Sequence, residues 1–67
     1  MINLLDYYGK KVIVEDIDGI SYNGLVDGYT SAEDNDDGEE SIDILTDTKH
    51  NEGVELYLSE IKSIRLA

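Results

Sequence analysis

The chain has no cysteine, proline, tryptophan or phenylalanine, and only five Lys and Arg stand against sixteen Asp and Glu. Each shortage excludes something. Without Cys there is no disulfide framework, no thiol catalysis and no Cys-ligated zinc. Stability must come from an apolar core, helped by oligomerisation, because 67 residues sit near the lower practical edge for one domain. A chain of this size buries only about 60% of its unfolded surface, which leaves little room for a deep catalytic cleft. No run approaches the roughly 18 apolar residues of a membrane-spanning helix. The opening Met1-Ile2-Asn3-Leu4-Leu5-Asp6 carries neither a basic region nor a long apolar stretch. These absences imply one domain over residues 1–67, soluble and cytoplasmic, with no membrane partner.

The shortage of cations bears on partners. Nucleic-acid binders gain most of their affinity by neutralising phosphates with Lys and Arg, and this chain has a net charge of −11. Part of the excess is local, with Glu33, Asp34, Asp36, Asp37, Glu39 and Glu40 falling within eight residues. Setting those aside still leaves ten acids against five bases. A whole-surface attraction to RNA, DNA or anionic lipid is disfavoured.

What is present is pattern. Residues 1–9 predict a short helix, capped by Asn3, with Leu4, Leu5 and Tyr8 at one-turn spacings and Gly9 as its stop. About two turns cannot stand alone, so the stripe must dock. Residues 11–17 are β-branched and end at Asp18-Gly19, a strong hairpin signal. Residues 20–29 alternate, with Ile20, Tyr22 and Val26 on one face. Asn23-Gly24 competes as a turn, but two hairpins would leave only residues 20–22 between them. Gly24 is therefore expected within the strand, at a sharp bend or bulge. Residues 30–40 form a polar, acidic loop, expected to be mobile over 32–40 because its carboxylates repel and no apolar side chain tethers them. Strands are expected at 41–46, 54–58 and 63–66, with a tight helical turn near Ser59-Glu60-Ile61. The fold class is mainly β, a short N-terminal helix followed by five strongly bent antiparallel strands in a small barrel.

The residues Val12, Val14, Asp18-Gly19, Tyr22, Gly24, Val26 and Tyr29, followed by the run Gly53-Val54-Glu55-Leu56-Tyr57-Leu58-Ser59-Glu60-Ile61-Lys62-Ser63-Ile64, resemble the Sm-like (LSm) family of small barrels, in outline also an SH3-like barrel. The resemblance spans nearly the whole chain. It implies an N-terminal helix, five bent strands and assembly into rings, with the fourth strand of one copy paired to the fifth of the next. Val54, Leu56, Tyr57, Leu58 and Ile64 are then the candidate oligomer edge. The departures fall where the family binds RNA: Thr30 and Asp34 stand where its loop has Asp and Asn, Asn35 lies one place off register, and Glu52-Gly53 replaces a basic residue and Gly. The resemblance thus implies the barrel and ring more than uridine binding.

Other motifs are weaker. Aligning Gly38 with the EF-hand glycine puts Glu33, Asn35, Asp37 and Glu39 at ligand positions, but the bidentate Glu is replaced by Ile44 and no helices flank the loop. A solvated acidic loop is the plainer account. Gly9-Lys10-Lys11 lacks the upstream Gly and the Ser or Thr of a phosphate loop. His50, the one His, has no second His, Cys or Ser elbow to work with. Tyr57 stands opposite in parity to Leu56 and Leu58, and two readings remain for it: a partner anchor or base stack, and a partly exposed structural Tyr. No catalytic, metal-binding or nucleic-acid-binding residue is assigned, no cofactor is implied, and no enzyme is expected. The leading expectation is a binding or self-assembly module, as a homo-oligomer or with a protein partner. Its rivals are single-stranded RNA binding through a ring pore, using Lys10, Lys11, Lys49, Lys62 and Arg65, and an acidic mimic of nucleic acid.

Overall fold

The computed structural model describes residues 2–36, 38–47, 50 and 52–67. The alternation seen in the sequence becomes five strands: β1 (Lys11–Asp16), β2 (Ser21–Thr30), β3 (Ser41–Asp47), β4 (Glu52–Tyr57) and β5 (Ile61–Leu66). All pairings are antiparallel, and the spatial order is β4-β3-β2-β1-β5 in one sheet. Period-2 placement puts Val12, Val14, Val26, Ile42, Ile44, Leu56 and Ile61 on one face. With Leu4 they form the buried core, so every strand contributes.

The sheet curls without closing. β4 and β5 lie at its opposite ends, which in a flat five-stranded sheet would be roughly 19 Å apart. Yet only the short 3-10 turn Leu58–Glu60 joins them, and four residue steps reach at most about 14 Å. The ends must therefore bend towards each other around the core. Among the described residues they do not pair, so the expected barrel is corrected to an open, strongly curved sheet with two free edges.

The expected N-terminal helix is also corrected. It is a single 3-10 turn, Leu4–Tyr7, and the Asn3 side chain makes no capping hydrogen bond. Leu4 is fully buried, but Leu5 and Tyr8 are each 54% exposed; Ile2 and Tyr7 pack on the core in their place. The cause lies just downstream. Gly9, at φ +79°, donates its N–H to the Val26 carbonyl at 2.8 Å, and Val26 N–H donates to the Lys10 carbonyl at 3.0 Å. The chain is thus captured by β2 before the second turn a helix nucleus needs can form.

The β1–β2 connection is the turn at Asp18-Gly19, with Gly19 at φ +84°. Ile20 was expected on the core face but is 53% exposed, because β2 begins only at Ser21. Gly24 lies within β2, opposite Val12. The bulge falls farther on, between Val26 and Gly28. What Gly24 provides is proximity: a Cβ there would overlap the Leu45 carbonyl oxygen and come within 2.8 Å of Ile44 Cγ2. Among the described residues, no helix is long and apolar enough to cross a membrane.

Candidate assembly edges

Among the described residues, strand β4 is bonded on one side only, to β3, in a register running from Ser41 opposite Tyr57 to Asp47 opposite Glu52. Strand β5 is bonded on one side only, to β1, with Val12 opposite Leu66 and Val14 opposite Ile64. Each presents a row of backbone groups to a potential further strand, which is how edge strands recruit partners. Of the five candidate edge residues, Leu56 is 4% exposed and belongs to this chain's own core. Val54, Leu58 and Ile64 are half-buried and pack against that core, leaving part of each side chain open at the two ends of the sheet. Tyr57 is half-buried.

The junction between the edges is tightly tied. Tyr57 N–H donates to Glu60 Oε1 at 3.0 Å, so one backbone donor at the end of β4 is already satisfied by a carboxylate. Leu58 N–H donates to the Glu40 carbonyl and Ile17 N–H to the Glu60 carbonyl, at 3.0 and 2.9 Å. Ser59 N–H donates to Glu39 Oε1. The last turn before β5 is thereby held by both the acidic connection and the β1–β2 turn.

That acidic connection has an internal clasp. Both N–H groups of the Asn35 amide are used, one on the Glu39 carbonyl at 2.7 Å and one on Ser41 Oγ at 3.0 Å. Ser41, only 1% exposed, lies 3.4 Å from Glu55 Oε2, which carries the link to β4. Tyr29 OH donates to Glu40 Oε2 at 3.3 Å. Repulsion between the carboxylates is thus opposed by polar ties at the described positions of the loop. Among the described residues no three His, Cys, Asp or Glu side chains gather as a metal-holding group. Asp37, one ligand of the calcium reading, and Lys49, one cation of the RNA reading, lie outside the described residues.

A second carboxylate centre was not read from the sequence. Asp16 is 6% exposed and accepts three hydrogen bonds. Its Oδ1 takes Asp18 N–H and Ile20 N–H, each at 2.9 Å, and its Oδ2 takes Tyr22 OH at 3.3 Å. The sequence signal was an Asp two residues ahead of a turn amide, the spacing at which Asp side chains close a turn on themselves. Partial burial, and then the Asp16 carboxylate, holds the Tyr22 hydroxyl above its ordinary value of 10.0. Partial burial followed by Glu40 does the same for Tyr29.

Two shallow grooves mark the outer face. One, of about 440 Å³, adjoins β4 and has Asp27, Asp43 and Glu55 as its charged lining. The other, of about 290 Å³, has Lys11, Asn23, Leu25 and Leu45 along it. Comparison with known proteins returned no matching family model, no similar curated protein and no similar solved structure.

Proposed function

We propose that this chain is a non-enzymatic, Sm-like binding or self-assembly module of the cytoplasm that works through its two free strand edges. The supporting observation is the curled sheet, which brings β4 and β5 to either side of one short turn and leaves each with a bonded neighbour on one side only. A small core without a disulfide gains most from covering such edges with a further strand. Pairing β4 of one copy with β5 of the next satisfies both, and repetition by rotation closes a ring.

The test is mass by light scattering at about 0.1 and 0.5 M salt. Copies of net charge −11 repel, and salt shortens the range of that repulsion, so assembly is expected at the higher salt and loosens at the lower. A monomer mass at about 0.5 M salt and high protein concentration defeats the reading. The RNA alternative is separated by its own salt dependence, because phosphate binding weakens steeply as salt rises. No submicromolar affinity for oligouridine is expected at about 0.15 M salt. The commitment of both Asn35 amide donors, to the Glu39 carbonyl of its own loop and to Ser41 at the start of β3, supports that expectation.

A further inference from the structure

The two free edges carry opposite charges. Strand β4 reads Glu-Gly-Val-Glu-Leu-Tyr, with Glu52 and Glu55 and no base. Strand β5 reads Ile-Lys-Ser-Ile-Arg-Leu, with Lys62 and Arg65 and no acid. All four of these side chains are exposed. The cations also gather beyond β5, although β1 carries Glu15 and Asp16 as well. Lys10 and Lys11, the other described cations, stand at the start of β1, the strand that carries β5. Asp27 and Asp43 line the groove beside β4. In a chain with only five bases and a net charge of −11, every described cation is found at one end of the sheet.

From this we infer that Glu52 and Glu55 on one edge and Lys62 and Arg65 on the other set the direction of that edge pairing. The inference rests on the edge-pairing reading above and adds to it a rule of polarity. Like-charged residues placed across a strand pair are unfavourable and opposite charges favourable. A symmetric β4-to-β4 pair would set Glu52 and Glu55 against themselves, and a β5-to-β5 pair would do the same to Lys62 and Arg65. Head-to-tail contact alone brings the two signs together, so the charges discriminate against two-fold dimers while favouring the repeating contact. The local attraction acts at contact distance, whereas the net repulsion is spread over the subunit and screened beyond about 8 Å.

The experiment compares the native chain with two charge-reversed variants, Lys62→Glu with Arg65→Glu and Glu52→Lys with Glu55→Lys, alone and mixed, by sedimentation velocity. Circular dichroism confirms that each is folded. Because Glu55 also contacts Ser41, Glu52→Lys alone and Arg65→Glu alone form a second, milder pair. Each variant alone is expected to assemble on the order of tenfold or more weakly than the native chain. The equimolar mixture, whose unlike edges are again complementary, regains assembly. The β4 variant is the sharper case. It is less acidic than the native chain, so net repulsion by itself would make it assemble better, and edge polarity makes it assemble worse. A β4 variant that assembles as well as the native chain, or a mixture no better than its parts, overturns the inference while leaving edge pairing intact. A native chain that stays monomeric throughout defeats edge pairing and the polarity rule with it.

Discussion

The β1–β2 turn and the β2–β3 connection are both acidic, and the fold treats their carboxylates in opposite ways. Asp16 is drawn inside and supplied with three donors, so its charge fixes the turn and reaches Tyr22. Glu33, Asp34 and Asp36 stay exposed in the longer connection, where the ordering comes from a neutral amide, Asn35, and from the Glu39 and Glu40 carboxylates at its end. Carboxylates therefore stabilise this chain where backbone amides converge on them. Where they crowd together, neutral Asn35 shares the holding with the two carboxylates, Glu39 and Glu40, that find donors.

Breaking the first region is expected to cost most. Asp16→Ala leaves two amides and a hydroxyl without their acceptor, a loss of about 3 kcal/mol, enough to lower the melting temperature of a small domain by roughly 15 °C. Thermal denaturation followed by circular dichroism measures it; a shift of only a few degrees would mean that the turn holds itself. Asn35→Ala tests the second region. It removes two donors and leaves the buried Ser41 hydroxyl one partner short, for about 1 kcal/mol in a urea titration. Equal losses at the two sites would erase the contrast.

Alkaline pH probes both regions more gently. The folded pKa values of Tyr22 and Tyr29 are raised, so the folded state holds these protons more tightly than the unfolded one. The associated stability is complete below the ordinary value of 10.0 and is lost as pH rises above it towards the folded values. Tyrosinate absorbance should show these two rings ionising late, and Asp16→Asn should bring Tyr22 back towards the ordinary value with Tyr29 unmoved. The smallest effect belongs to the crowded carboxylates. Replacing Glu33, Asp34 and Asp36 with their amides should stabilise by at most about 0.5 kcal/mol at low salt and by nothing measurable at high salt. A larger gain would make repulsion a dominant force in the loop.

Much of the sheet was legible because its signals are local. Val12 and Val14, Ile42 and Ile44, and Val54 and Leu56 alternate as half-buried strands do, and Asp18-Gly19 marks its own turn. The N-terminus misled because Leu4, Leu5 and Tyr8 have helical spacing, while the competing bonds come from Val26, a residue distant in sequence. Asp16 was concealed among sixteen acids until Tyr22 and the turn amides were seen to surround it. The opposite charges of the two edges were written in the strands all along. They acquired meaning only once β4 and β5 proved to be the two ends of a single sheet.

Gly24 has a consequence for how the chain finds this fold. Where β2 passes β3 at Gly24, there is no space for a side chain between the glycine and the Leu45 carbonyl. If β2 slipped along β3 by one pleat repeat, Tyr22 or Val26 would arrive at that crossing and collide with backbone. Most strands police their alignment through buried side chains, an error that is penalised only after the core has gathered. Here the wrong alignments are refused at first contact, because the obstacle is the partner strand itself. The glycine thus acts as a marker of strand register, raising the energy of pairings that would place any other residue at that crossing.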